Sequence, residues 1–309
     1  MARADARGMS KTTMSTPATP GPASAAFTGM YVPLVTPFDA EGAVAFEALE
    51  RLAHEVLDAG ASGLVALGTT AEPASLTPGE QSAVQERIAR VCRERAATMM
   101  VGASTVRAVQ ALHGTEATVA LSLVPPFQRP GEAGTVAHFE ALAAASPVPL
   151  IVYHVPYRTG QPLSAAAIRQ LARIPGIAGI KYAAGTIDAT AVDLLTDPPP
   201  GFSFLGGDDA LISPLLALGA HGGILASAHL ATRQFDDLAS AWSAGDVATA
   251  QGLGRRLAPL SAALFAEPNP TVIKAVLHAR GRIPTPDVRL PLLPAAPASL
   301  ATATKYLDA

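Results

Sequence analysis

Lys181 is the residue whose setting is hardest to explain as scaffolding. The chain has four lysines, Lys11, Lys181, Lys274 and Lys305, against eighteen arginines, so arginine is its default cation. Lys181 nevertheless ends the apolar run Ile177-Ala178-Gly179-Ile180-Lys181. A primary amine condenses with a ketone, which a guanidinium cannot do. Apolar surroundings lower the pKa of such an amine and leave part of it neutral near pH 7. The structural alternative is a strand-end lysine whose stem covers apolar surface while its head reaches water. Lys274, in a helical stretch after Pro270, reads as a surface or structural residue.

Three other segments close apolar runs with polar groups. Gly68-Thr69-Thr70-Ala71-Glu72 offers two hydroxyls and free backbone N–H groups, suited to holding a carboxylate. Tyr153-His154-Val155-Pro156-Tyr157-Arg158-Thr159-Gly160 offers a phenol that relays protons and a guanidinium that pairs with an acid. Gly206-Gly207-Asp208-Asp209 places two carboxylates in succession. Adjacent residues at a strand end face opposite sides, so these read as backbone caps and not as a metal pair. The seven histidines, His54, His113, His138, His154, His221, His229 and His278, show no ligand spacing with a carboxylate, and no metal site is expected.

These segments need elements that bring them to one place. From Met30 onward, short β-branched or aliphatic runs alternate with helical stretches, the rhythm of βαβ units around a parallel sheet. Eight strands are predicted at residues 31–36, 63–67, 99–103, 119–124, 150–154, 177–182, 202–205 and 223–226. A (β/α)8 barrel gathers its chemistry at the C-terminal ends of its strands, where Lys181 and the polar segments fall. Residues 46–57 carry Phe46, Leu49, Leu52, Ala53, Val56 and Leu57 at helical spacing. Residues 77–95 open with Thr77 as N-cap, Pro78 at the first helical position and Glu80 at N3. Residues 106–113 leave room only for a truncated third helix. Helices near 231–243, 246–265 and 270–280 then precede a Pro-rich end. The expected organisation is a disordered tail at 1–26, the barrel at 27–230 and a C-terminal helical subdomain at 231–309.

Composition narrows the function classes. Of 309 residues, 49% are hydrophobic and 15% charged, enough apolar surface for one large core. A net charge of -3 without basic clusters argues against nucleic acid and anionic membrane as partners. The longest stretch free of Asp, Glu, Lys and Arg, 210–232, is broken by Pro214, Gly219, His221, Gly222, Gly223 and His229, and reads as a helix plus a strand instead of a membrane span. Cys92 is the only cysteine, so no intrachain disulfide forms and a reducing, cytoplasmic setting is expected, with Cys92 half-buried on a helix. The Ala-, Thr-, Ser- and Pro-rich tail with Arg3, Arg7 and Lys11 lacks the apolar run of a secretory signal. It reads as a plain extension, or an upstream start before Met9 or Met14, in preference to an organelle transit peptide.

The chain from about Thr28 to Pro294 resembles the dihydrodipicolinate synthase and N-acetylneuraminate lyase family of class I aldolases. The segments that carry the resemblance are Val35-Thr36-Pro37-Phe38, Gly68-Thr69-Thr70, Tyr153 through Gly160, Gly179-Ile180-Lys181, Gly207-Asp208-Asp209, Glu267-Pro268-Asn269-Pro270 and Arg289-Leu290-Pro291, in this order. The resemblance implies that Lys181 forms a Schiff base with pyruvate, Tyr153 carries protons beside it, Thr69 extends the relay and Thr70 binds the pyruvate carboxylate. Gly207 and the main chain at Ile224 would line the pocket, with His154 and His229 near it. No metal or organic cofactor is implied. Arg158, within Tyr-x-Val-Pro-x-Arg-Thr-Gly, resembles the synthase residue that holds the carboxylate of aspartate semialdehyde. The family also implies a homotetramer of tight dimers, or a homodimer.

The sequence departs from the family pattern at three places. Val124-Pro125-Pro126-Phe127 stands where Thr-Pro-Tyr-Tyr is usual, so the tyrosine that a neighbouring subunit lends to the relay is Phe127, which carries no proton. Tyr182 follows the lysine where Glu is common, and His154 follows Tyr153 where Asn is common. Pro73, Pro78, Gln81 and Pro126 fill the positions of the lysine feedback site, so no inhibition by lysine is expected. Arg158 favours a synthase; Phe127 leaves open an aldolase or dehydratase of a sugar-derived 2-oxo acid, of the N-acetylneuraminate or 2-keto-3-deoxy acid type. A barrel that binds an oxo acid with little turnover is the third alternative.

Overall fold

In a computed structural model that describes residues 27–309, eight parallel strands close into a barrel in sequence order. They are β1 (Gly29–Pro33), β2 (Gly63–Ala66), β3 (Thr98–Gly102), β4 (Val119–Leu123), β5 (Leu150–His154), β6 (Ile177–Tyr182), β7 (Ser203–Gly206) and β8 (Gly222–Ile224). The expected tail lies outside the described residues. Around the strands run α1 (Phe46–Asp58), α2 (Pro78–Glu94), α3 (Val106–Gln110), α4 (Gly131–Ala145), the single turn α5 (Pro156–Thr159), α6 (Ala165–Leu171), α7 (Ala189–Thr196), α8 (Ile212–Ala217) and α9 (Ala228–Ala244). Helices α10 (Val247–Leu264), α11 (Thr271–Ala279) and α12 (Pro297–Leu307) follow.

The two-residue period of a strand sorts side chains into two layers. Tyr31, Val65, Met100, Ile151, Tyr153, Leu205 and Ile224 fill the barrel interior. Val32, Leu64, Val101, Val152, Ile180, Phe204 and Leu225 face the helices and merge with their apolar stripes, such as Leu49, Leu52, Ala53 and Val56 of α1. One irregularity sets which side Lys181 takes. Leu150 pairs with Ile177, but Ile151 pairs with Gly179, so Ala178 has no opposite residue and the register slips by one. Beyond the slip, Tyr153 pairs with Lys181 and His154 with Tyr182.

Local sequence signals act as expected at α2. Thr77 accepts from the Glu80 backbone N–H, and the Glu80 carboxylate accepts from Thr77 N at 2.8 Å. The third helix is cut to five residues. The helix expected at 231–243 packs on β1 as the outer helix after β8 and also meets α10 and α11. The Pro-rich end holds one element that the sequence reading did not anticipate, α12. Its proline sits in the first turn, where a missing N–H costs nothing, and Ala303 is buried where α12 meets α10 and α11. No helix among the described residues is long and apolar enough to cross a membrane.

One burial expectation needs correction, and for Lys274 the structural alternative holds. Cys92 is fully buried and not half-buried, and burial pushes its thiol up to about 12. Lys274 is not on the surface. Its Nζ donates to Thr36 O and to Glu72 Oε1, each at 2.9 Å, and lies 4.0 Å from the centroid of the Phe38 ring. Burial pushes this amine down to about 8, with Glu72 pulling it back up. The other Glu72 oxygen accepts from Arg289 N at 2.8 Å, and the Arg289 guanidinium forks onto Glu80 at 2.9 and 2.6 Å. The rim after β2 is thereby tied to the chain beyond the barrel.

Removing one member of a buried pair strands the other charge without a partner. Lys274→Met should therefore lower stability by about 3 to 5 kcal/mol in urea-induced unfolding. A change below about 1 kcal/mol, the scale of an exposed pair, would contradict the placement.

Candidate active site

A cavity of about 710 Å³ opens at the C-terminal ends of the strands, closed on its outer side by the end of α10 and the loop through Asn269. Lys181, Tyr153, Thr69, Thr70, Arg158, Gly207 and Ile224, the seven residues singled out from the sequence, all line it. They come from five places in the chain. Thr69 and Thr70 form a single 3-10 turn after β2, with Thr70 only 3% exposed. The Thr36 hydroxyl donates to Ala71 O at 2.8 Å and anchors that turn. Tyr153 and Lys181 are paired across β5 and β6. Arg158 stands on α5 immediately beyond β5, Gly207 follows β7, and Ile224 ends β8.

Lys181 is 6% exposed, and its Nζ lies 4.3 Å from the centroid of the Tyr153 ring. Burial pushes the amine down to about 8, opposed by the Asp209 and Asp208 carboxylates. At pH 7 roughly a tenth of such an amine is neutral, against roughly one part in three thousand for an ordinary lysine. Gly207 makes room for this arrangement. A Cβ there would stand 2.9 Å from both Cγ and Cε of Lys181, so any side chain would push the lysine stem aside. Burial also raises the Tyr153 phenol, while the Arg158 guanidinium and the Thr69 hydroxyl pull it back. Its proton is therefore retained at neutral pH, which suits a group that donates and recovers a proton.

Asp208 and Asp209 act as caps, as expected. Asp208 Oδ2 accepts from Gly185 N at 2.7 Å and Asp209 Oδ2 from Ser227 N at 2.6 Å. Both also line the cavity, and burial raises Asp209 to about 6. Arg158 has no carboxylate within salt-bridge distance among the described residues and lies 5.8 Å from the Tyr157 ring centroid. Its charge is available to an anionic ligand. No three His, Cys, Asp or Glu side chains gather as a cation site among the described residues.

His154 and His229, which the resemblance places near the pocket, do not line the cavity. The next residue along a strand faces the other way, so His154 packs against Tyr182 at 5.2 Å between ring centroids, and Tyr182 stacks on Phe204 at 5.1 Å. His229 is spent on backbone, its Nε2 accepting from Val35 N at 3.1 Å and its Nδ1 lying 2.8 Å from Ala226 O. Burial lowers both imidazoles to about 4. Phe127 is also outside the cavity, 89% exposed on a backbone of φ 66°. The sequence reading gave no role to the outer wall, where Ser261, Phe265 and Asn269 meet the cavity. Glu267-Pro268-Asn269-Pro270 was a visible signal, an amide fixed between two prolines at a helix start.

A family profile described as the dihydrodipicolinate synthetase family matches residues 26–309. The chain belongs to this family. It is 38% identical over 271 residues to the 4-hydroxy-tetrahydrodipicolinate synthase of Neisseria meningitidis serogroup C, covering 86% of this chain and 92% of the relative. It is also 38% identical over 267 residues to that of Moorella thermoacetica, covering 84% and 90%. A crystal structure of the chloride-inhibited dihydrodipicolinate synthase from Acinetobacter baumannii, complexed with pyruvate, superposes with a TM-score of 0.85 at 33% identity, over 91% of this chain and 99% of that one.

Within this dihydrodipicolinate synthetase family barrel, Lys181 should stand out in competitive acylation by a small reagent. Its labelling should rise about tenfold per pH unit below 8 and level off above, because the amine loses its proton as pH increases through its lowered pKa. A rise that continues unchanged to pH 10 would show an ordinary lysine.

Proposed function

We propose that this chain is a lyase that condenses pyruvate with aspartate semialdehyde, a 4-hydroxy-tetrahydrodipicolinate synthase. The observation that carries the reading is a buried amine, lowered to about 8, lying over the Tyr153 ring in a cavity that also presents the Thr70 hydroxyl and the Arg158 guanidinium. In this reading the neutral Lys181 amine attacks the keto carbon of pyruvate and water leaves, giving an imine. The methyl carbon then loses a proton to give an enamine, whose carbon attacks the aldehyde. Tyr153 is the proton carrier, with Thr69 beside it. Thr70 holds the pyruvate carboxylate, Gly207 and Ile224 shape that end of the cavity, and Arg158 pairs with the carboxylate of the acceptor. No cofactor takes part in these steps.

Family membership and relatives at 38% identity support the synthase over the sugar-acid alternative, as does the free charge of Arg158. Assembly as a homodimer or homotetramer is part of the proposal. Exposed Phe127 and Tyr157 support it, on segments that are joined where Phe127 N donates to Thr159 O at 3.3 Å. We also propose a cytoplasmic location, which a single buried thiol suits. Feedback by lysine is not part of the reading. The Gln81 amide already donates to Pro73 O at 2.9 Å and Leu76 O at 3.2 Å, and so is not free to hold an amino acid.

Incubation with pyruvate and borohydride should add a reduced pyruvyl group to the Lys181 peptide, and Lys181→Arg should abolish it. In an aldehyde panel with pyruvate, aspartate semialdehyde should be consumed and sugar aldehydes should not. Preference for sugar aldehydes would move the chain to a sugar-acid aldolase, and an adduct without aldehyde consumption to an oxo-acid-binding protein. Free lysine should leave turnover unchanged up to millimolar concentration; inhibition in the micromolar range would overturn the expectation of an unregulated enzyme.

A further inference from the structure

Thr70 has one proton and two neighbours with a use for it. Its Oγ1 accepts a hydrogen bond from Asn269 Nδ2 at 2.9 Å. Its own proton meets no acceptor among the described residues, and the side chain is almost wholly shielded from water. A hydroxyl whose lone pair is already taken by a donor must aim its proton elsewhere, and the remaining open direction is the cavity that Thr70 and Asn269 both line. The reverse amide orientation would place Asn269 Oδ1 on Thr70, accept that proton, and turn the hydroxyl lone pairs toward an incoming anion.

We propose that Asn269 is a positioning residue that fixes the direction of the Thr70 hydroxyl and so makes Thr70 a donor to the carboxylate of the bound 2-oxo acid. This rests on the pyruvate-binding reading above and assigns the orientation of its carboxylate subsite to the chain beyond the barrel. Asn269 is itself held in place. Pro268 O accepts from Thr271 N at 3.0 Å, and α11 begins at Thr271. One turn further on, Lys274 binds Glu72, the residue that follows the Thr69–Ala71 turn. The turn and the C-terminal segment are therefore joined at two points, Asn269 to Thr70 and Lys274 to Glu72. The other end of the amide, Oδ1, is buried and has no partner among the described residues, so the bond to Thr70 is the side-chain hydrogen bond that Asn269 makes.

The test is a double-mutant cycle read by borohydride trapping of pyruvate, which needs no acceptor aldehyde. Two quantities are measured: the pyruvate concentration for half-maximal labelling of Lys181, and the labelling rate at saturation. Thr70→Val should raise the half-maximal concentration about ten- to a hundredfold, the range for a lost hydrogen bond to a charged group. Asn269→Ala should raise it about three- to tenfold with the saturating rate nearly unchanged. In the Thr70→Ser background the Asn269→Ala effect should persist, because the hydroxyl is still there to be steered. In the Thr70→Val background it should vanish. An equal effect in all three backgrounds would overturn the proposal and mark Asn269 as a direct ligand contact or a purely structural residue. Asn269→Ser serves as a second probe with the same expected background dependence if the alanine variant unfolds. Wild-type protein that forms no adduct at Lys181 would instead refute the pyruvate reading, and the inference would fall with it.

Discussion

An ammonium group is stable in water and costly in a packed barrel mouth, and the site depends on that imbalance. Lys181 loses its hydration to β5, β6 and β7 and regains only part of it from Asp208 and Asp209, which are themselves raised by burial and partly committed to backbone N–H groups. Stronger compensation would fix the charge on nitrogen and end its nucleophilicity; weaker compensation would destabilise the fold. Gly207 belongs to the same constraint, because the lysine stem occupies the space where another residue would carry its Cβ.

The second lysine shows the contrast. Lys274 is as deeply buried and its amine is lowered to a similar degree, yet it has a carboxylate and a carbonyl, each at 2.9 Å. With two of its protons held by these acceptors, that amine is a fastening. Burial alone does not make a lysine reactive. What separates the two is that Lys181 lines a cavity while Lys274 is bound to a carboxylate and a carbonyl.

Much of the architecture was legible because strand and helix periods alternate eight times and because strand ends carried polar groups. Strand limits shifted most at β1, where residues 34–36 leave the sheet once Val35 N turns to His229 and the Thr36 hydroxyl to Ala71. The helix Pro297–Leu307 was hidden in an end read only as Pro-rich, although its proline belongs to the first turn. His154 and His229 were placed near the cavity by the resemblance, but His154 faces the helices as the strand residue next to Tyr153, and the ring of His229 on α9 is taken up by backbone groups. Asn269 went unassigned because its partner is 199 positions away, a separation that local pattern does not reach.

The unmatched residue Ala178 has a consequence for how such a barrel could arise or be lost. Strict alternation from Ile177, which faces the helices, would send Lys181 outward and His154 would sit beside it. The bulge takes Ala178 out of the alternation, so Lys181 keeps its place opposite Tyr153 and faces inward. Deletion of Ala178 alone would leave a regular ladder with the amine still inside, whereas a codon gained or lost between Ala178 and Lys181, with no bulge to take it up, would keep every side chain of the machinery in the gene and turn the lysine out of the barrel.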